Sequence, residues 1–173
     1  MNRPIVIVGF MGAGKTTVAR ELARQLGCAM VDLDELVVLR SGHYVAEIID
    51  MEGEERFRQI ESAALRQTIE EDREGVIALG GGTWTIPANR EAIRAAAMLT
   101  VWLDTPFEIC WERIRTSSDE RPLARSETEA RALFASRRVD YVLADIRIGD
   151  EAVSSLESTV AAIMNLRLEP LEK

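Results

Sequence analysis

The sequence predicts an α/β protein in which helices cover both faces of a mostly parallel sheet. Three observations predict it. Short apolar runs rich in β-branched residues alternate with helical patterns along the chain. The stretch GFMGAGKTTV, residues 9–18, sits between the first such run and the first helical pattern. No apolar run approaches the roughly 20 residues of a membrane span, and 173 residues suit one domain over 1–173.

Taken in order, PIVIV (4–8) predicts a strand buried on both faces and ended by Gly9. In KTTVARELARQL (15–26), Val18, Leu22, Ala23 and Leu26 recur at helical spacing, and Gly27 supplies the stop. CAMVDLD (28–34) predicts a second strand, GVIALGGG (75–82) a third, AMLTVWLD (97–104) a fourth and ADIRIGD (144–150) a fifth. Further helices are predicted over 54–71, 88–96, 106–115, 127–141 and 152–166. The alternation implies right-handed crossovers and ligands at the carboxyl ends of the strands. RTSSDERPLARSE (115–127) breaks the regularity, being polar and interrupted by Pro122. It is read as a mobile lid, and Arg113, Arg115, Arg121 and Arg125 in or beside it suit a cover for phosphate.

A net charge of −8 and a pI near 4.8 argue against binding a nucleic-acid backbone by bulk electrostatics. An anionic substrate must therefore meet a local cluster of cations. Of 21 basic residues only Lys15 and Lys173 are lysines, and Lys15 lies inside the glycine loop, where a slim point charge serves better than a planar fork. Cys28 and Cys110 stand far apart in apolar surroundings, the pattern of reduced, buried thiols rather than of a metal site. The first strand runs directly into the glycine loop, which argues against a removable signal peptide, and a cytoplasmic location is expected. His43, in RSGHYV, is assigned no role; Trp84, Trp102 and Trp111 are read as packing residues.

Residues 9–16 match G-x-x-x-x-G-K-[ST], with the strand before and helix after that this phosphate loop requires. Gly12 and Gly14 let the backbone curl so that successive N–H groups face a β-phosphate. Lys15 then spans the β- and γ-phosphates, and Thr16 places its hydroxyl on Mg²⁺; Ala13 and Thr17 complete the expected ATP-binding loop.

VDLD places Asp32 and Asp34 two apart at the end of a strand, so both are expected to face the crevice. Two carboxylates there must divide labour, one in the metal shell and one accepting hydroxyl protons from an acceptor. Asp34 as a helix N-cap ahead of ELVVL is the alternative. In GEERFRQIE, Arg58 and Glu61 are three apart and can pair, which by spacing alone describes a surface ion pair, with Phe57 and Ile60 as core contacts. Gly80, Gly81 and Gly82 after a buried strand remove every side chain from the crevice wall, so something approaches the backbone there. SRRVDY puts Arg137 and Arg138 side by side on a helix, where only one can face inward.

In this order GFMGAGKTT, VDLD, GEERFRQIE, LGGGTW, VWLD, RPL and SRRVDY resemble the shikimate kinase family, over nearly the whole chain. The resemblance implies a three-layer α/β/α P-loop kinase fold with a five-stranded parallel sheet, a helical acceptor-binding region at about 33–61 and a mobile lid at about 115–127. It implies transfer of the γ-phosphate of ATP to the 3-hydroxyl of shikimate, with Mg²⁺ as cofactor; a monomer is expected because no large apolar stripe is left over, and neither nucleic acid nor membrane is expected as a partner. On this resemblance Lys15, Asp34 and Arg121 would be catalytic, with Asp34 binding the acceptor's hydroxyls and Arg121 closing over the phosphates. Arg58 and Arg137 would clamp the carboxylate, Glu61 would hold Arg58, and Gly81 and Gly82 would offer backbone amides. Asp32 would join Thr16 in the magnesium shell, and Arg115 would cover the adenine. Arg137 is chosen over Arg138 for its distance from Tyr141. Two departures stand out: Ala124 replaces a second leucine after RPL, and VDY replaces PLY. The rival readings are a kinase of gluconate or a nucleoside monophosphate, opposed by the triple glycine and the FRxxE helix, and a nucleotide-binding module without turnover, opposed by the absence of N-K-x-D.

Overall fold

The computed structural model describes residues 3–71, 75–117, 123, 126–149 and 155–167. Five strands form one sheet: β1 (Ile5–Val8), β2 (Met30–Asp32), β3 (Val76–Ala78), β4 (Leu99–Leu103) and β5 (Ile146–Ile148). Their order is β2-β3-β1-β4-β5, and every pairing is parallel. Val6 in the central strand stands opposite Ile77 on one side and Thr100 on the other. β1, β3 and β4 are buried throughout, as helices on both faces require, whereas the edge strands β2 and β5 keep partial exposure.

The helices are α1 (Lys15–Leu26), α2 (Leu33–Ser41), α3 (Val45–Glu71), α4 (Pro87–Ala95), α5 (Phe107–Thr116), α6 (Glu127–Tyr141) and α7 (Leu156–Arg167). α1 buries Val18, Ala19, Leu22 and Ala23 and ends at Gly27. α6 starts where Ser126 and Glu129 form a reciprocal capping box. α3 is two helical pieces joined at Gly53, whose φ of 87° and ψ of 162° interrupt the helix. The expected helix over 54–71 is the second piece. The first piece was not expected: Val45, Ile48 and Ile49 keep helical spacing, but over a run of only eight residues before Gly53.

The core joins the sheet to the helices around Phe10, Trp84 and Tyr141. Trp102 is also buried, but Trp111 is only half-buried and stacks on Phe107 with ring centroids 6.4 Å apart. The two cysteines form no disulfide, and Cys110 is buried while Cys28 is only partly so. Among the described residues no helix is long and apolar enough to cross a membrane. Most of the expected lid, including Arg121, Ala124 and Arg125, lies outside the described residues, as does the start of the expected helix over 152–166.

Candidate active site

The glycine loop bends back on itself between β1 and α1. Gly12, at φ 76°, lies so close to α5 that a Cβ would sit 2.6 Å from the Cys110 carbonyl oxygen. Lys15 Nζ donates to the Phe10 carbonyl at 3.0 Å, which lays the ammonium across the loop. α1 begins at Gly14 with no side-chain cap, so its first N–H groups are available to an anion. Ala13 behaves differently from its neighbours. It is buried, its N–H donates to Phe10 and its carbonyl accepts from Thr105 Oγ1 at 3.1 Å, so it holds the loop together and does not line the cleft.

β2 ends at Asp32, which places Asp34 in the first turn of α2 rather than on the strand. The helix cap is accordingly Asp32, not Asp34. Asp32 Oδ1 accepts from the N–H groups of Asp34 at 3.0 Å and Glu35 at 3.2 Å, while Oδ2 accepts from Thr16 Oγ1 at 2.5 Å. One carboxylate thus ties the head of α2 to the head of α1. Both aspartates nonetheless line the same cleft, of about 370 Å³, with Lys15, Thr16 and Thr17.

Each glycine of the turn after β3 is covered by a charged side chain. A Cβ on Gly80 would collide with Glu61 Oε1 and stand 2.6 Å from Asp34 Oδ1. On Gly81 it would meet Arg137 Nη1 at 3.0 Å, and on Gly82 the Arg58 guanidinium at 2.5 Å. The close approach inferred from the sequence is therefore made by the protein's own site residues. The Gly81 carbonyl accepts from Tyr141 OH at 2.5 Å and the Gly82 carbonyl from Thr85 Oγ1 at 2.8 Å.

Arg58 Nη1 donates to Glu61 Oε2 at 2.8 Å, and Nη2 to Glu54 Oε1 at 3.0 Å. Glu61 has no exposed surface, so the pair belongs to the cleft and is not the surface ion pair that spacing alone describes. Burial acts to lower the Arg58 pKa, but Glu61 and Glu54 outweigh it and raise the value. For Arg137 the balance falls the other way: burial first, and Arg58 nearby, push its pKa down against the opposing pull of Tyr141, Glu54 and Glu61, and among the described residues its Nη1 is buried without a hydrogen-bond partner. Arg138 points elsewhere, with Nη1 2.5 Å from Asp104 Oδ1 and Nη2 3.1 Å from Oδ2. Val45, Ile49, Phe57 and Leu79 give the cleft an apolar wall.

Arg115 is not brought into the cleft. It is exposed and bonded to Glu112, Nε to Oε2 and Nη2 to Oε1 at 2.7 Å each. Arg113 lines the cleft instead, and its Nη1 donates to the Gly12 carbonyl at 2.9 Å. A signal lay in the helical period: Arg113 is three residues after Cys110, whose backbone abuts Gly12, on one face of α5. Sequence reasoning also missed Glu54, four residues before Arg58 on α3, and Thr83, directly after the glycine turn.

The shikimate kinase family model matches residues 11–167. The shikimate kinase of Geobacter sulfurreducens is 41% identical over 165 residues, covering 94% of this chain and 89% of that protein. That of Synechococcus elongatus is 36% identical, covering 94% and 85%. Among solved structures, shikimate kinase from Acinetobacter baumannii in complex with shikimate superposes with a TM-score of 0.85 at 31% identity, covering 98% of this chain and 97% of that one. A deoxyadenosine kinase from M. mycoides shares the fold at a TM-score of 0.68 and 15% identity. The parallel sheet, the glycine loop ahead of α1 and a family match over nearly all of its length place this chain in the shikimate kinase family.

Proposed function

We propose that the chain moves the γ-phosphate of ATP to the 3-hydroxyl of shikimate, giving shikimate 3-phosphate and ADP in aromatic amino acid biosynthesis. The observation that carries this reading is Arg137: a buried cation with an unpartnered Nη1, beside Arg58, in a cleft with an apolar wall. A buried cation with a donor left unsatisfied is costly, so the site asks for a small anion with an apolar ring.

Gly12, Gly14, Lys15, Thr16 and Thr17 hold the donor's phosphates, with Arg113 at the rim of the loop. Arg58 and Arg137 clamp the acceptor's carboxylate, and Gly81 and Gly82, whose carbonyls are engaged on the far side of the turn, offer amides. That clamp leaves the ring's hydroxyls for Asp34, which orients the attacking oxygen and accepts its proton as the bond to phosphorus forms. Lys15 stabilises the charge that moves toward the leaving ADP, and Arg121 is assigned the same task from the lid. Asp32 and Thr16 present a carboxylate and a hydroxyl oxygen at the phosphate end, and no group of three His, Cys, Asp or Glu competes among the described residues. That donor set fits Mg²⁺, which keeps water and phosphate as its other ligands. When bound it neutralises charge on the phosphates. The protein acts in the cytoplasm as a monomer, with ATP and shikimate as its small-molecule partners.

ATP consumption with Mg²⁺, measured against shikimate, quinate, gluconate, AMP and CMP, tests the reading. Turnover with shikimate alone is expected. Turnover with gluconate or a nucleotide and not shikimate would discard the acceptor while keeping the kinase.

A further inference from the structure

Thr83 follows the glycine turn and opens the short 3-10 turn Thr83–Thr85. Neither Thr83 nor Glu61 has any exposed surface. The Thr83 hydroxyl donates to Glu61 Oε1 at 2.5 Å, and the other carboxylate oxygen, Oε2, accepts from Arg58 Nη1 at 2.8 Å. The two oxygens of one buried carboxylate are thus divided between a hydroxyl and a guanidinium. A buried carboxylate needs donors at both oxygens, because no water replaces a lost one.

The position of Glu61 matters on both sides. Its Oε1 crowds the same point above Gly80 as Asp34 Oδ1, so a carboxylate free to rotate would disturb the aspartate. Arg58 lies flat on Gly82 while paired to Glu61, and a shift of Glu61 would draw it off that face.

We propose that Thr83 is a positioning residue for acceptor recognition: its hydroxyl fixes Glu61, and Glu61 fixes Arg58 in the clamp. The inference rests on the carboxylate-clamp reading of Arg58 given above. The hydroxyl is separable from the fold of the turn. Thr83 N donates to the Gly80 carbonyl at 3.2 Å, and the Thr83 carbonyl accepts from Asn89 Nδ2 at 3.0 Å, so neither backbone bond uses the side chain.

Steady-state kinetics of Thr83→Val and Thr83→Ser test it, with Arg58→Ala measured alongside. Thr83→Val keeps the shape and removes the donor; we expect its KM for shikimate to rise about tenfold, while the KM for ATP stays within about twofold. Thr83→Ser restores the donor and should return the shikimate KM to within about twofold of the parent. In an Arg58→Ala background Thr83→Val should add no further loss. An unchanged shikimate KM in Thr83→Val, a serine variant as impaired as the valine one, or full additivity with Arg58→Ala would each overturn the proposal. Should the valine variant fail to fold, Thr83→Ala gives the same comparison. If Arg58→Ala itself leaves the shikimate KM unchanged, the clamp reading falls, an outcome distinct from a normal Arg58→Ala loss with a silent Thr83→Val.

Discussion

Two adjacent arginines on α6 have opposite tasks. Arg137 is on the face that carries Ala130 and Tyr141 inward, and its Nη1 lies unpartnered at Gly81. Arg138, one residue on and rotated by about 100°, grips the buried carboxylate of Asp104. The sequence left the two open on helical position alone, since a single pair of like residues does not say which one has an anion waiting. What decides is Asp104, distant in sequence and brought near by β4. Arg137→Ala should therefore raise the KM for shikimate by about 10- to 100-fold, the worth of a charged hydrogen bond, and leave the KM for ATP alone. Arg138→Ala should do the reverse, sparing the acceptor and lowering stability by about 1–3 kcal/mol, because Asp104 then keeps only Arg147 among the described residues. Kinetics and a urea midpoint on both variants check the division; equal effects on acceptor KM would contradict it.

Elements with strong local signals were legible. α1 falls where its apolar period and the stop at Gly27 put it, α6 covers the predicted 127–141, and the five strands lie within the predicted runs. α2 was not drawn as an element, for a physical reason. Leu33 and Val37 face the core, but Leu39 is 81% exposed and Leu36 only half-buried, so apolar residues ring the helix and blur its period. The sequence offers it a start only as the alternative cap at Asp34, since Asp32 and Asp34 are both good caps and the end of the strand is not visible. The structure gives Asp32 two tasks, capping α2 and facing Thr16, and substitution separates them. Asp32→Asn keeps a cap and removes the charge; it should leave the melting temperature nearly unchanged and raise the Mg²⁺ concentration needed for half-maximal rate. Asp32→Ala should add a stability loss of about 1 kcal/mol from the uncapped helix. A parent-like Mg²⁺ dependence in Asp32→Asn would remove Asp32 from the metal shell.

At the scale of the molecule, the carboxyl ends of the parallel strands gather both halves of the site, and two buried weak acids brace those halves. The Cys110 backbone abuts Gly12 under the phosphate loop, and the Tyr141 hydroxyl holds Gly81 in the acceptor turn. Burial pushes the Cys110 thiol from 9.0 up to about 11, against the opposing pull of Lys15 and Arg113. Tyr141 is raised further by its burial, opposed by Arg137. For a group whose pKa is higher in the folded state, the unfolded chain binds fewer protons in the window between the two values, so stability falls as pH rises through it. The contribution of Cys110 is intact below pH 9.0 and is lost between there and about 11. At pH 10 the loss from this one thiol comes to about 1.4 kcal/mol. A tyrosine in the unfolded chain is half ionised at pH 10, so by then Tyr141 adds a smaller fall of its own, which Cys110→Ala leaves in place. Urea midpoints at pH 8 and pH 10 should fall for the parent and fall less for Cys110→Ala, whatever the cavity does to the absolute value at either pH. An equal fall in both proteins would mean that the alkaline sensitivity lies outside the brace beneath the phosphate loop.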